Sequence, residues 1–277
     1  MSTRAADVPD GGVAREHRQE IAALPNLRDV GGHPTRDGGR VRTGLLYRST
    51  DLSRIDGTDR AALARLGIRT VYDLRTAGER TGQPDRLPPG SAYVVADILG
   101  DSPAMTPAEF VTLFEDPAAA EKALGGGRSA MFFVNAYREF VRLGSARAGY
   151  RRLFSDLVGG ASTPALVHCT TGKDRTGWAA AALLMLLGVP DDVVMEDYLL
   201  SGPRLLPMVR PMIDAFEARG GDPELMWPLV DVRPAYLEAA LDEMRRLFGS
   251  IEGYFAKGLG IDAPTQGALH TTLVERG

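Results

Sequence analysis

The sequence predicts an α/β fold in which a mostly parallel central sheet is flanked by helices. Three observations carry the prediction. Short apolar runs of strand length alternate with stretches of helical periodicity, the order that builds a sheet with helices on its faces. One of those runs, residues 165–167, passes through a tight loop straight into a helical pattern, which aims a helix N-terminus at a ligand beside the carboxyl ends of the strands. The single cysteine, Cys169, excludes an intrachain disulfide and a zinc site built from several thiolates, so a chain of 277 residues must stand on packing alone.

Taken in order, residues 1–20 are polar, rich in Asp, Gly and Arg, and read as a disordered tail, while 21–277 read as one domain. The first strand covers 45–47. A helix over 58–66 follows, begun by Asp56 or Thr58 and stopped by Gly67. A second strand spans 68–74. Pro84, Pro88, Pro89 and Gly90 break the chain before a third strand at 93–96. Residues 107–158 are helical in pattern, interrupted at Gly125-Gly126-Gly127 and at Gly144, so that about 101–158 reads as a helical insertion. Pro164 precedes the strand at 165–167, and the helix beyond it, 178–187, is closed by Gly188 and Pro190. After Asp191 the chain is helical. Leu205, Leu206, Val209, Met212, Ile213 and Phe216 share one helical face, which is buried either as an ordinary core helix or as a cover over a site; about 203–230 is the candidate lid.

A composition of 44% hydrophobic and 25% charged residues with a formal charge of -4 gives no basic excess of the kind that binds nucleic acid. An anionic substrate would have to be drawn by local charge. The N-terminus lacks the apolar core of a signal peptide, and no segment approaches the ~18 apolar residues of a membrane span. These features predict no stable membrane insertion and a protein that is cytoplasmic, or secreted without a recognisable signal peptide. No cofactor and no metal ion are expected.

The chemistry concentrates in His168-Cys169-Thr170-Thr171-Gly172-Lys173-Asp174-Arg175-Thr176-Gly177. A cysteine six residues before an arginine carries little information alone, but here the pair sits between a strand and a helix, with Gly172 inside the loop. A phosphoryl group spreads charge over three oxygens, and a short loop wrapped around it can meet them with successive backbone N–H groups from Thr170 to Arg175. Arg175 adds a planar, permanently charged fork. Cys169 is the candidate nucleophile. A thiol of pKa near 8.5 is about 3% ionised at pH 7, so full ionisation gains at most roughly thirtyfold, about 2 kcal/mol. Most of the acceleration of a phosphate ester must then come from holding the oxygens and protonating the leaving group.

His168 follows a strand and is expected to hydrogen-bond the loop backbone. Thr176 is either a hydroxyl donor to the Cys169 thiolate or an ordinary residue of the first helical turn. Lys173 adds charge for a multiply anionic substrate. Asp174 must turn away from phosphate, cap the helix or orient water.

Those residues resemble the protein tyrosine phosphatase superfamily, and within it the bacterial tyrosine phosphatases of the protein tyrosine phosphatase B type. Similar signatures recur at Asn26-Leu27-Arg28-Asp29-Val30-Gly31-Gly32, with a leucine in place of the usual aromatic, at Arg48-Ser49 and Asp73-Leu74-Arg75, and downstream at Asp197-Tyr198-Leu199, Tyr236-Leu237 and Phe248-Gly249-Ser250. The likeness covers about residues 24–260. It implies a dual-specificity-like fold, a helical lid, and metal-free hydrolysis of phosphotyrosine, with dual or broad specificity, through a phosphocysteine intermediate. It also implies a general-acid aspartate after the third strand. Asp97 occupies that place, with Ala96 where the family has proline, and Asp101 is close enough to compete. Asp73 and Arg75 read as a buried strand-end pair.

The expected partner is a phosphorylated protein. A phosphoinositide is the alternative substrate, suggested by Lys173, and a non-catalytic phosphate-binding module is the rival from another class. A rhodanese-type sulfurtransferase also uses a cysteine in an anion-cradling loop, but the acid loop and Thr176-Gly177 suit phosphate esters better. With no second cysteine, peroxide oxidation of Cys169 has no internal disulfide to rescue it. Peroxide-treated protein should therefore regain activity only after added thiol; recovery in buffer alone would contradict this.

Overall fold

The computed structural model describes residues 21–103 and 112–276. The predicted tail lies outside the described residues, as does the part of the predicted insertion at 104–111. The central sheet has five strands: β1 (Arg28–Asp29), β3 (Leu46–Ser49), β4 (Thr70–Asp73), β5 (Ala92–Val95) and β6 (Ala165–His168), in the order β1-β3-β6-β4-β5. β1 is antiparallel to β3 and all other pairings are parallel. β2 (Gly39–Val41) and β7 (Val274–Arg276) form a separate antiparallel pair. The predicted α/β class and mostly parallel sheet hold.

The register explains where a site can form. Ser49 and Asp73 both stand opposite His168, and Val95 stands opposite Asp73. Four parallel strands thus end on one line, and the segments beginning at Thr50, Leu74, Ala96 and Cys169 leave the sheet side by side. β4 and β6 are buried along their whole length, which is why they read as continuous runs rather than alternating ones.

Helix α1 (Gly57–Ala64) begins at Asp56 with a reciprocal capping box to Asp59. α2 (Ala77–Gly82) begins at Thr76 with a second box, closed by Glu79. Beyond β5 come α3 (Pro117–Leu124), α4 (Arg128–Arg142) and α5 (Gly144–Leu157). α6 (Arg175–Leu186) follows the cysteine loop and starts a turn earlier than its apolar pattern suggests, because Trp178 N already donates to Asp174 O at 2.9 Å. It is buried on nearly every side, as suits a helix at the centre of the molecule. Then follow α7 (Asp191–Leu199), α8 (Ser201–Ala218), α9 (Pro223–Val230), α10 (Pro234–Phe248) and α11 (Ala263–Leu273).

Tyr137 and Phe140 of α4 and Tyr150 and Phe154 of α5 belong to the main core with Trp178 and Tyr254, so these helices flank the sheet rather than extend from it. A second apolar cluster joins Leu113, Ala120 and Leu124 to Ile213 and Phe216 of α8 and to Leu225, Met226 and Leu229 of α9. The predicted apolar face of α8 therefore buries Leu205, Val209, Ile213 and Phe216. Leu206 stays 46% exposed because it sits about 100° round the helix from Leu205. Met212, 39% exposed, opens onto a cavity. Pro207 and Pro211 inside α8 each lack an N–H, which weakens this helix relative to α6. Among the described residues no helix is long and apolar enough to cross a membrane.

Candidate active site

The loop from Cys169 to Asp174 is gripped from outside by its carbonyl groups. His168 Nδ1 donates to Cys169 O at 3.1 Å and the Asp51 amide donates to Thr170 O at 3.1 Å. Asn26 Nδ2 donates to Thr171 O at 2.9 Å, and Arg48 Nη2 to Gly172 O at 2.8 Å. Carbonyl and N–H of a trans peptide point in opposite directions. Fixing four successive carbonyls outward turns the amides of Thr170, Thr171, Gly172 and Lys173 the other way, into the loop. Gly172 has φ +68, and a Cβ there would lie 2.1 Å from Ser49 O, so no other residue fits this turn.

The two side chains that hold Thr171 and Gly172 are themselves fixed by one carboxylate. Asp197 Oδ2 accepts from Arg48 Nη1 at 2.9 Å and its Oδ1 from Arg28 Nε at 2.9 Å, while Arg28 Nη1 donates to Asn26 Oδ1. Burial would raise the Asp197 pKa, but Arg28 and Arg48 hold it well below the usual carboxylate range. Arg48 is fully buried; burial and then the Arg28 cation lower its pKa to about 10, against the pull of Asp197. The N-terminal signature, Arg48 and Asp197 are thus one unit whose output is the direction of two loop carbonyls.

Arg175 is gripped by a residue that sequence reasoning missed. Its Nη1 donates to Glu79 Oε2 at 2.8 Å and its Nη2 to Glu79 Oε1 at 2.7 Å, a bidentate pair in which both side chains are buried. Glu79 also accepts from Thr170 Oγ1. Burial would raise the Glu79 pKa, but Arg175 brings it down to about 2. Burial likewise works against Arg175, and Glu79 raises it above its ordinary value. The signal lay in Thr76-x-x-Glu79, a capping-box pattern that marks both the helix and the residue.

Beneath the loop, Arg75 Nη2 lies 2.7 Å from Asp73 Oδ2 and 2.8 Å from Asp85 Oδ2, the buried pair expected at the end of the strand with a second carboxylate added. His168 Nε2 is 3.1 Å from Asp85 Oδ2, an ion pair that is off the line of a hydrogen bond. Burial depresses the His168 pKa, but Asp85 and Asp73 more than offset this and raise it. Asp73, Asp85 and His168 stand close enough together to suit a metal ion, yet the Arg75 guanidinium is already paired with both carboxylates.

Thr170, Thr171, Lys173, Asp174 and Arg175 line a cavity of about 430 Å³, roofed by Met208, Val209 and Met212 of α8 and Leu229 and Val230 of α9 and walled by Phe132, Phe133 and Phe140. Cys169, 1% exposed, Gly172 and His168 lie behind this lining. Lys173 does not project a free charge: its Nζ is 2.8 Å from Asp174 Oδ1 and 4.5 Å from the centre of the Phe133 ring. Asp174 makes no capping hydrogen bond, and its Oδ1 also accepts from Tyr137 at 3.0 Å. Among the described residues Thr176 Oγ1 is buried without a hydrogen-bond partner, so of the two roles open to it the bond to Cys169 is not formed.

Asp97 follows β5 as expected but is not in the cavity lining. Its Oδ1 accepts from the Leu99 amide at 3.0 Å, and its Oδ2 lies 3.8 Å from Arg80 Nη1. Asp101 is turned to Ser145, whose amide donates to it at 3.2 Å. Among the described residues the carboxylates that line the cavity are Asp51, Glu139 and Asp174, and of these Asp174 belongs to the cysteine loop itself.

A sequence profile described as the tyrosine phosphatase family matches residues 19–275. A protein of Cupriavidus necator that carries a tyrosine-protein phosphatase name is 32% identical over 251 residues, 90% of this chain and 87% of that one. The triple specificity protein phosphatase PtpB of Mycobacterium tuberculosis is 32% identical over 281 residues, 92% of this chain and 99% of the relative. A tyrosine-protein phosphatase of Nostoc commune is 30% identical over 220 residues, 77% of this chain and 69% of the relative.

The Glu79–Arg175 pair gives a pH signature. A carboxyl group whose folded pKa is about 2 stabilises the fold fully above its unfolded value and loses that contribution as pH falls towards 2. The contribution at neutral pH is on the order of 3 kcal/mol. Chemical denaturation should find Glu79→Gln destabilised at pH 7, with the difference from wild type shrinking between about pH 4.5 and pH 2. A difference independent of pH would mean that Glu79 acts by shape alone.

Proposed function

The chain belongs to the tyrosine phosphatase family, and on that premise we propose a division of labour for hydrolysis of phosphotyrosine through a phosphocysteine. Cys169 attacks phosphorus. The inward amides of the loop and the Nε edge of Arg175, left free by Glu79, hold the three equatorial oxygens. A single observation carries this reading: four consecutive loop carbonyls are bonded outward while Glu79 fixes the arginine at the other side of the ring of donors.

The proton for the leaving group is assigned to Asp174, because of the carboxylates that line the cavity, Asp51, Glu139 and Asp174, it is the one within the cysteine loop and next to Arg175 in the chain. Asp97 is the second reading, favoured by its place after β5 at the same end of the sheet; it requires release from Arg80 and a loop movement. Phe132, Phe133 and Phe140 favour an aromatic leaving group, which suits phosphotyrosine. The relative named for triple specificity supports a broader range of phosphorylated substrates. Pairing of Lys173 with Asp174 reduces the charge on offer to a phosphoinositide. α8 and α9 are proposed as the lid, moving with the second apolar cluster when a substrate enters.

Hydrolysis of p-nitrophenyl phosphate should fall by about four orders of magnitude or more in Cys169→Ser. Equal rates in mutant and wild type would leave only a phosphate-binding module. Asp174→Asn should slow phenyl phosphate by roughly a hundredfold or more and p-nitrophenyl phosphate far less, since protonation matters when the departing oxygen is basic. That selectivity in Asp97→Asn instead would transfer the role to Asp97. Faster turnover of a phosphoinositide than of a phosphotyrosine peptide would overturn the substrate class.

A further inference from the structure

Asp174 is held by a hydrogen-bond chain that reaches into the protein interior. Its Oδ1 accepts from Lys173 Nζ at 2.8 Å and from the Tyr137 hydroxyl at 3.0 Å. The Tyr137 hydroxyl lies 2.7 Å from the Tyr198 hydroxyl. Among the described residues no donor reaches Oδ2. Both tyrosines are essentially buried, with no solvent to satisfy their hydroxyls. Burial and the Asp174 charge keep Tyr137 protonated well above its ordinary pKa, and burial does the same for Tyr198.

One hydroxyl carries one proton, which fixes the order of donation. Tyr137 gives its proton to Asp174, so Tyr198 must give its own to Tyr137. The neighbours are arranged for this contact. Tyr137 lies against Phe140 and Tyr236, with ring centroids 5.0 and 5.8 Å away, which leaves its ring no freedom to swing aside. Tyr198 comes so near α6 that a Cβ at Gly177 would lie 3.2 Å from its ring carbons, so the glycine of the Thr176-Gly177 pair makes room for the second member of the chain.

We propose that Tyr137, backed by Tyr198, is the positioning residue for leaving-group protonation: by occupying Asp174 Oδ1 it forces the acidic proton onto Oδ2, the oxygen left for the substrate. The proposal rests on Asp174 being the proton donor. In the first step the Cys169 sulfur–phosphorus bond forms, the bond from phosphorus to the leaving oxygen breaks, and the Oδ2 proton passes to that oxygen. Asp174 is then a carboxylate whose new charge already has two donors on Oδ1, so no reorganisation is needed as the charge develops. In the second step water attacks phosphorus, the sulfur–phosphorus bond breaks, and the water proton returns to Oδ2. Lys173 supplies charge to Oδ1 and the phenol supplies direction, since an ammonium on a flexible stem does not fix the plane of the carboxyl group.

The test is steady-state kinetics of Tyr137→Phe, Tyr198→Phe and Asp174→Asn on phenyl phosphate and p-nitrophenyl phosphate. A hydrogen bond to a charged group is worth enough that Tyr137→Phe should lose roughly tenfold or more in kcat on phenyl phosphate. It should lose under about threefold on p-nitrophenyl phosphate, with KM unchanged for both. Tyr198→Phe should show the same selectivity at smaller amplitude. Added to Asp174→Asn, Tyr137→Phe should have no further effect, because the proton it directs is gone. Equal losses on the two esters, or full additivity in the double variant, would reduce Tyr137 to a packing role and overturn the proposal. If Tyr137→Phe fails to fold, Tyr198→Phe decides alone, an unselective result being the adverse one. If Asp174→Asn is itself unselective, the assignment of the acid has failed and the proposal falls with it. A selective Asp174→Asn beside an unselective Tyr137→Phe sinks the proposal alone.

Discussion

The outward grip on four consecutive carbonyls of the cysteine loop is the constraint on which the site depends. An amide has no preference of its own for facing an anion, and a six-residue loop left to itself would turn its N–H groups wherever they found partners. Here His168, the Asp51 amide, Asn26 and Arg48 take the carbonyls from four different directions in the sequence. The three side chains among them are fixed by buried groups: His168 by Asp85, Asn26 and Arg48 through Asp197 and Arg28. The amides are then turned inward before any substrate arrives, so little reorganisation is needed when charge builds on the phosphoryl oxygens.

The same logic accounts for a large investment in buried charge. Ion pairs inside a protein gain little net stability, and removing one partner is commonly destabilising by about 3–5 kcal/mol because the other is stranded. A fold that held together only for its own sake would have little use for Arg28, Arg48, Arg75 and Arg175 paired with Asp197, Asp73, Asp85 and Glu79 around one loop. What such pairs supply is direction. Bidentate and multiply hydrogen-bonded guanidinium groups fix angles as well as distances, and the hydrogen-bond chain through Tyr198 and Tyr137 extends the same device to Asp174.

Much of this was legible in the sequence. The strand at 165–167, the loop and the helix after it follow from short apolar runs broken by glycine and proline, and Cys169, Gly172 and Arg175 follow from their spacing. The pattern failed where a residue acts through its position in space. Glu79 was missed because α2 is short and has no apolar face to reveal it; its capping box was the only local trace. β1, β2 and β7 are two or three residues long, too short for any period. Asp97 satisfied the topological rule, but Arg80 and the Leu99 amide hold its carboxylate off the cavity, an outcome that no spacing encodes. Lys173 and Asp174 stood out as an unusual couple; that they neutralise one another under Phe133 required the fold, since Phe133 lies forty residues away.

The cavity above the loop is closed by helices whose apolar cluster is separate from the main core, and two prolines weaken the helix that forms its roof. If α8 and α9 are the lid proposed above, access is governed by a part of the molecule that can loosen without disturbing the grip on the loop. That grip is tested most directly by a crystal structure of Cys169→Ser with inorganic phosphate bound. The account predicts the amide nitrogens of Thr171, Gly172 and Lys173 within about 3 Å of phosphate oxygens. It also predicts the carbonyls of Thr171 and Gly172 still on Asn26 and Arg48. Phosphate held only by the side chains of Lys173 and Arg175, with the loop amides facing away, would contradict it.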